Sequence, residues 1–389
     1  MSGTVKATVS GQEGSSITAN GTYTEYLTTT GTDFSIKSQG GTFNGSIDNI
    51  SVKDITFSTD VDLARINYDS NGENGHILLE PTSTNLLPYS EDFSQWSSSG
   101  SATIESGFVS PDGSNSAYKV SGTVGSTTVY YSGVPNLSRT STRTIWARTV
   151  SGTGTINLCS YGQNTNNNFT ITEEWQRFEV NGTTTSTGES NFYATDFRFQ
   201  QPNALTEIII WGAQAENLSY ATSYIPTYGS TVTRATETLT GSGNSTLINS
   251  TEGVLYAEIA ALAEESASKR ITISDGTLTN RITLSVAANI ISGFINVNNV
   301  TQYTFFESGQ NITSFNKIAV KYKANDFALW INGVEYDVDT SGSTFSANTL
   351  NVINFANATI TDNDFYGKVK ALAVFNEALS DSELTQLTT

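Results

Sequence analysis

The sequence predicts an all-β protein of tandem antiparallel β-sandwiches of the jelly-roll kind, followed by one short C-terminal helix. The hydrophobic residues, 37% of the chain, occur in short runs that alternate with polar residues. The chain has 17 Tyr and 19 Phe, and aromatic residues suit a half-buried pleated sheet. Asn-Gly and Ser-Gly pairs separate the runs and supply turns.

The length predicts several domains, because 389 residues exceed what one hydrophobic core ordinarily serves. Changes in composition divide the chain into four parts. We predict a partial β-domain at 1–57, a connector strap at 58–85, a sandwich at 86–235 and a second sandwich at 236–389.

Short Gly-punctuated runs fill residues 1–57. In the last run, an alternating set of apolar residues predicts a strand with one buried face: Phe43, Ile47, Ile50, Val52 and Ile55. The segment GTFNGSIDNISVKDI resembles the final strands of carbohydrate-binding-module sandwiches, which are usually longer than this part of the chain. We therefore expect half a sandwich, which either copies of the chain or another protein complete, or which folds back on the next domain.

The connector strap retains apolar anchors, so we expect it to lie on a surface rather than to behave as a free linker. These anchors are Leu63, Ile66, Tyr68, Ile77, Leu78 and Leu79.

Residues 86–235 contain about eight strand-like runs with turns roughly every ten residues, a pattern typical of a jelly-roll sandwich. Three segments carry a family resemblance: LLEPTSTNLLPYSEDFSQW at 78–96, EIIIWGAQ at 207–214 and GAQAENLSYATSYIPTYGSTVTR at 212–234. They are similar to the cassette of bacteriophage virion appendages of the head spike fiber and tail-fiber type. The resemblance implies a structural protein of a fiber, a spike or the capsid decoration.

Residues 236–389 again form strand-like runs, with Asn332-Gly333 in the position of a tight hairpin turn. Ser380 and Glu383 have the spacing of a capping box that opens a terminal helix, and Leu379 and Leu384 the spacing of a hydrophobic staple. The segments IAVKYKANDFALWINGVEY and GKVKALAVFNEALSDSEL resemble the closing strands of concanavalin A-like, laminin-G-like sandwiches.

Charge and residue counts exclude several classes of function. The chain has 37 acidic and 19 basic residues, a net charge of −18, so nucleic-acid binding is not expected. Cys159 is the single cysteine and His76 the single histidine, which argues against disulfides and His-dependent catalysis. Without a leader-like or membrane-length apolar run, we expect a protein made in the cytoplasm and not inserted into a membrane. The phage resemblance implies that this cytoplasm is the host's and that the protein is assembled into the virion.

The candidate ligand residues are those that would hold a sugar. Alternation in DFALWING places Phe327, Leu329 and Ile331 on one sheet face and Trp330 on the other, where its ring would stack on a pyranose. Asn332 would supply an amide, and Tyr131 an outward ring. The alternative is that an outward Trp330 packs on a neighbouring domain or subunit.

The candidate metal ligands are acidic residues near the end of the chain. Asp362 and Asp364, with Asn363 between them, offer oxygen ligands for calcium, as do Asp337 and Asp339. Solvated acidic loops are the alternative reading, and no other cofactor is indicated.

Three functions follow from these observations. The first is a virion structural protein that contacts host-surface glycans without catalysis, working with other virion proteins as a homo-oligomer, with a trimer preferred. The second is a purely structural capsid or tail protein that binds no glycan. The third, an enzyme that degrades surface polysaccharide, would need two carboxylates in one cleft.

Overall fold

The protein is described here from a computed structural model. The structure describes residues 2–14, 16–21, 33–48, 50, 65–68, 72–138, 140–160, 168–183, 191–199, 202–358 and 363–389. The chain divides into two compact units, Met1–Asp60 and Val61–Thr389. No helix within these described ranges is long and apolar enough to cross a membrane.

The first unit contains one sheet of three antiparallel strands in the order β2-β1-β3. Its strands are β1 (Ser2–Val9), β2 (Gln12–Glu13) and β3 (Phe34–Asn44). The prediction of a strand with a buried face at 43–55 is wrong where it can be examined, because Ile47 and Ile50 are exposed and follow the end of β3. Val52 and Ile55 lie outside the described residues. The described residues of this unit include no second apolar surface against which the alternating residues could pack.

The second unit begins with strands that the sequence assigned to the connector strap, and continues into a sandwich that we call the middle sandwich. In chain order its strands are β4 (Ile66–Asn67), β5 (His76–Leu79), β6 (Ser83–Asn85), β7 (Ser97–Ser99), β8 (Thr103–Phe108), β9 (Ala117–Ser121), β10 (Thr128–Tyr131), β11 (Thr140–Arg148), β12 (Gly154–Ser160), β13 (Asn168–Ile171), β14 (Gln176–Thr183), β15 (Phe192–Asp196), β16 (Glu207–Glu216) and β17 (Val232–Arg234). A short 3-10 turn, Phe93–Gln95, precedes β7.

The middle sandwich pairs two five-stranded sheets, β13-β12-β15-β10-β7 and β14-β11-β16-β9-β8. Their inner faces enclose one apolar core, in which Leu87, Phe93, Ile145, Leu158 and Phe192 are fully buried. Every strand pairing in the sandwich is antiparallel. The prediction of a sandwich in this region is confirmed.

The segment from Gly212 to Arg234 closes the middle sandwich through β6 and β17, which pair with each other. The side-chain amide of Asn85, at the end of β6, has hydrogen-bond partners for both its nitrogen and its oxygen. Its Nδ2 donates to the carbonyls of Ala213 (3.1 Å) and Ile225 (2.8 Å), and its Oδ1 accepts from the backbone N–H groups of Leu87 and Ala215. A buried amide with four partners fixes the path of the chain around it.

The last part of the unit is a second sandwich, which we call the C-terminal sandwich. Its strands are β18 (Glu252–Ala261), β19 (Lys269–Ser274), β20 (Arg281–Ala287), β21 (Ile290–Val297), β22 (Val300–Ser308), β23 (Asn316–Lys323), β24 (Phe327–Ile331), β25 (Val334–Asp339), β26 (Val352–Asn354) and β27 (Gly367–Phe375), and helix α1 (Asp381–Thr388) ends the chain.

The C-terminal sandwich pairs a seven-stranded sheet, β25-β24-β23-β18-β27-β5-β4, with a five-stranded sheet, β22-β21-β20-β19-β26. Phe327, Leu329 and Ile331 fill the core between them, as alternation predicts. Strands β4 and β5 come from the connector strap, and Leu79 of β5 lies in this core. The strap is therefore in part a pair of strands of the C-terminal sandwich.

Two local predictions are confirmed at the end of the chain. Asn332 and Gly333 both have positive φ (50° and 83°) and join β24 to β25 in a tight hairpin, for which such dihedrals are required. The backbone N–H of Ser380 donates to Glu383 Oε2 at 2.8 Å, which forms the capping box of α1.

An ionic cluster ties the strap to the segments between the two sandwiches. The buried carboxylate of Glu80 pairs with Arg65 and Arg234 and accepts a hydrogen bond from the backbone N–H of Ser223 at 2.9 Å. Arg65 also pairs with Glu237 at 2.8 Å. Because a buried carboxylate needs several such partners, this cluster sets the positions of the segments that meet there.

Candidate functional site

The candidate site lies on the outer face of the five-stranded sheet of the C-terminal sandwich. Strand alternation produces this face, because Ile271 and Ile273 of β19 and Ile282 of β20 point into the core. The residues between them therefore point outward. We call the accessible outward set the arginine face, and it comprises Arg270, Arg281, Ser292, Phe294, Thr304 and Phe306.

Strand register aligns one outward residue from each strand in a row across the sheet: Asn354, Thr272, Thr283, Phe294 and Thr304. The arginines lie on opposite sides of this row, because Arg270 pairs with Ser285 and Arg281 with Asn296. Phe306 pairs with Ser292 on the Arg270 side and is 59% exposed. The face thus combines two guanidinium groups, two aromatic rings and several hydroxyl groups.

The guanidinium of Arg281 lies over the Phe294 ring, with its central carbon 4.9 Å from the ring centroid. A guanidinium stacked on a ring loses rotational freedom. Arg270 forms no ion pair within the described part of the chain, and its backbone N–H donates to the carbonyl of Asn363 at 3.0 Å.

Carboxylates do not occupy the outward positions of β19 to β22 and β26, all of which are described strands. Glu307 of β22 pairs with the inward Ile291, and Asp275 lies in the loop after β19. Partial burial opposes its ionisation, but hydrogen bonds from Thr277 and Asn280 outweigh this and hold the pKa of the carboxyl below its ordinary value. The face is therefore locally positive in a protein of net charge −18.

The hydroxyl oxygens of Thr272 and Thr283 at the centre of the row are buried and have no hydrogen-bond partner among the residues that the structure describes. Burial of an unpaired hydroxyl costs roughly 1–3 kcal/mol.

Trp330 lies on the sheet face opposite the core, as alternation predicts, but its ring is only 6% exposed. It belongs to a small apolar cluster with Val254, Tyr256 and Leu384 of α1. The helix packs over this face, so no side of the indole is free for a sugar. The stacking role predicted for Trp330 is corrected accordingly. The indole packs on α1 of its own domain, and not on the neighbouring domain or subunit that the alternative named.

The side-chain amide of Asn332 is used within the protein. Its Oδ1 accepts from the backbone N–H of Lys317 and its Nδ2 donates to Asn316 Oδ1, both at 2.9 Å. These bonds hold the hairpin turn against the start of β23. The amide is thus not available as the predicted sugar ligand.

Tyr131 points inward, against the core of the middle sandwich, with its ring 5.6 Å from that of Trp96. The outward ring of the pair is Tyr130, which stacks on Tyr193. The prediction assigned the outward position to the wrong member, because alternation alone gives two faces without saying which one is the core.

The predicted calcium ligands do not come together among the described residues. Asp362 lies outside the described residues, and Asp364 accepts a hydrogen bond from the Tyr366 hydroxyl at 3.0 Å. Asp339 accepts from the backbone N–H and hydroxyl of Ser341. In the described ranges no group of three or more His, Cys, Asp or Glu residues is placed to hold a metal ion.

The sequence reasoning missed the arginine face, although a signal for it was present. The tripeptide Arg-Ile-Thr occurs at 270–272 and again at 281–283, each time at the start of an alternating run. In an antiparallel pair, such a repeat places both Thr and both Arg residues on one face.

Comparisons with known proteins agree with the fold. Residues 260–385 match the family model described as the concanavalin A-like lectin/glucanases superfamily, so the C-terminal sandwich is a concanavalin A-like, laminin-G-like domain. No curated protein matches the chain in sequence. The all-β fold class predicted from the sequence is confirmed.

Solved structures that match part of this chain include the IT-sialidase CBM40 of Ruminococcus gnavus, with 16% identity, a TM-score of 0.33, and coverage of 39% of this chain and 94% of that chain. The binding domain of botulinum neurotoxin serotype G has 14% identity and a TM-score of 0.31, covering 40% of each chain. The SAP-like pentraxin from Limulus polyphemus has 10% identity and a TM-score of 0.33, covering 39% of this chain and 75% of that chain.

Proposed function

We propose that this chain is a non-catalytic glycan-binding protein and that the arginine face binds saccharides that carry an anionic group. The carrying observation is the arrangement of Arg281 on Phe294, with Arg270 across the threonine row. Guanidinium groups form paired hydrogen bonds with carboxylate, sulfate or phosphate. The exposed face of Phe306 suits the C–H side of a pyranose ring.

Local charge supports the anionic class. A net charge of −18 repels an acidic polysaccharide from most of the surface. A face with two arginines and no carboxylate at the outward positions of its strands is where such a ligand would meet attraction instead. Repulsion from the acidic surface and attraction to the arginine face would together direct an acidic ligand to this face.

The chemistry of the face supports binding rather than cleavage. Glycoside hydrolysis needs two carboxyl groups on either side of the scissile bond, and the outward positions of these five strands hold none. His76 is buried away from this face, in β5 of the opposite sheet, with its ring 5.6 Å from that of Phe315. Cys159 is fully buried, and burial raises the pKa of its thiol.

The setting that we propose is a bacteriophage virion, where the chain would be a fiber, spike or capsid-decoration protein that contacts host-surface glycans. Support comes from the resemblance of 78–96 and 207–234 to the cassette of phage appendages. Its partners would be other virion proteins and copies of itself, with a trimer preferred.

A purely structural role is the second candidate. It is favoured by the exposed apolar side chains of Val334 and Val338 on β25, the edge strand of the seven-stranded sheet, and of Val300 on β22. Such residues suit contact with another protein.

A glycan array distinguishes the two candidates. The labelled full-length protein is applied to matched sialylated, uronate-containing, sulfated and neutral glycans. The proposal expects signal on one or more acidic classes that falls as salt is raised. A folded protein that binds no acidic glycan would favour the structural role.

A further inference from the structure

A stacked pair of tyrosines lies on the outer face of the middle sandwich. Tyr130 of β10 and Tyr193 of β15 are direct partners in the strand register, and their ring centroids are 5.2 Å apart at an interplanar angle of 27°. Their sequence neighbours Val129 and Phe192 are in the core. Both tyrosine rings are half-buried, so part of each ring surface is accessible.

Arg198 fixes one end of this pair. Its guanidinium carbon is 4.9 Å from the Tyr193 ring centroid. It also forms a two-pronged ion pair with Asp196, through Nε at 2.9 Å and Nη2 at 2.7 Å. The hydrogen bond to Asp196 raises the pKa of Arg198 above its ordinary value. The two opposite charges neutralise each other. The guanidinium therefore supports the Tyr193 ring as a fixed planar group rather than as an unpaired cation.

At the other end of the pair, the described residues on the neighbouring strand have small side chains. Tyr130 is the register partner of Ser97 in β7, the edge strand of this sheet, and the residues of β7 are all exposed serines. Ser99 and Thr128 lie one step along the same face, with their hydroxyl oxygens 3.0 Å apart. We call this surface the tyrosine shelf: the Tyr130 ring, backed by Tyr193 and Arg198, with the exposed hydroxyl groups of Ser97 and Ser99 beside it.

We propose that the tyrosine shelf is a second carbohydrate-binding site, distinct from the arginine face and selective for uncharged pyranose residues. A supported aromatic ring takes the C–H face of a sugar, and adjacent hydroxyl groups donate to and accept from sugar hydroxyls. The mutual neutralisation of Arg198 and Asp196 leaves no unpaired charge among the residues that define the shelf to favour an acidic sugar. The small side chains of β7 leave space for a ring beside Tyr130.

The two sites would act in different ways on one chain. The arginine face would respond to salt because its contacts are ionic, whereas binding at the shelf would change little with salt. In an oligomer, weak binding at both sites would add through multivalency. The shelf does not rest on the function proposed for the arginine face.

Saturation-transfer difference NMR and calorimetry on the full-length protein test the shelf, with neutral gluco-, manno- and galacto-oligosaccharides as probes at millimolar concentration. The expected result is saturation transfer to ring C–H protons of at least one probe. Tyr130→Ala should weaken its binding about tenfold or more, as loss of one stacking contact implies. Tyr130→Phe, which keeps the ring, should bind nearly as well as the wild type.

Two further variants make the result decisive. Ser97→Gln puts a longer side chain on the β7 side of Tyr130 without removing an aromatic ring, and it should weaken binding as Tyr130→Ala does. Tyr228→Ala removes a tyrosine that is 76% exposed elsewhere in the same unit, and it should leave binding unchanged. Near-ultraviolet circular dichroism confirms that each variant is folded.

The proposal is overturned if no neutral probe binds the folded wild type, or if Tyr130→Ala and Ser97→Gln both bind as the wild type does. These outcomes leave the arginine face untouched, since that site is tested with acidic glycans and with arginine variants. Conversely, loss of acidic-glycan binding in an arginine variant should not alter binding of the neutral probe.

Discussion

Arg281 and Phe294 lie on neighbouring strands, diagonally across the sheet, with the guanidinium carbon 4.9 Å from the ring centroid. This contact holds the guanidinium close to the central row of the arginine face. An arginine restrained in this way loses less conformational entropy when it binds a ligand than one that is free in solvent. In the proposed function, this pair would be the preorganised anion contact beside an aromatic surface.

Thr272→Val should leave stability unchanged or raise it by up to about 1 kcal/mol, because the hydroxyl that it removes is buried without a partner. Valine has nearly the same shape, so no cavity forms. Urea unfolding of the wild type, Thr272→Val and Thr283→Val measures the change. A loss of more than about 2 kcal/mol would mean that the hydroxyl has a stabilising partner.

Trp330→Ala should destabilise the protein by about 3–5 kcal/mol, as expected for removal of a large side chain from a packed cluster. Trp330→Phe should cost much less, because it keeps a ring under α1 and removes an indole N–H that has no partner. Thermal unfolding compares the two. If Trp330→Ala left the melting temperature unchanged and reduced glycan binding, the indole would be a ligand contact after all.

The outcome at Trp330 illustrates how far alternation carries a prediction. Period two correctly separated Phe327, Leu329 and Ile331 from Trp330. It said nothing about what covers the second face, and the helix that does so was itself predicted from Ser380 and Glu383. Contact between that helix and β24 depends on the tertiary path of the chain, which no local pattern encodes.

The arginine face shows a similar limit. Both Arg-Ile-Thr segments can be seen in the sequence. Whether their side chains share one face depends on the strand register, which sets Thr272 opposite Thr283. A shift of one residue would have turned these side chains to the other face. The sandwich fold could be predicted from composition and turns, whereas the site required the pairing of strands.

Glu91→Gln should raise the melting temperature at neutral pH. Burial raises the pKa of the Glu91 carboxyl in the folded protein, although the Tyr224 hydroxyl donates to it at 3.0 Å. A raised carboxyl pKa means that its stabilising contribution is complete below the unfolded pKa, about 4.3, and is lost as pH rises through the folded pKa. The difference between variant and wild type should therefore shrink as pH falls towards 4.

Calorimetric melts from pH 4 to pH 8 measure this dependence. Glu174→Gln, which alters an exposed carboxylate of the middle sandwich, serves as the control and should change the melting temperature little. A lower melting temperature for Glu91→Gln at neutral pH would show that the ionised carboxylate stabilises the fold.

The most direct test of the arginine face is titration of the acidic oligosaccharide with the strongest array signal into the wild type, Arg270→Ala, Arg281→Ala and Lys323→Ala. Lys323 is an exposed cation on the opposite sheet, so its variant matches the change in net charge. We predict that each arginine variant binds about tenfold or more weakly while Lys323→Ala binds as the wild type does. Equal affinities for all four folded proteins would contradict glycan binding at this face.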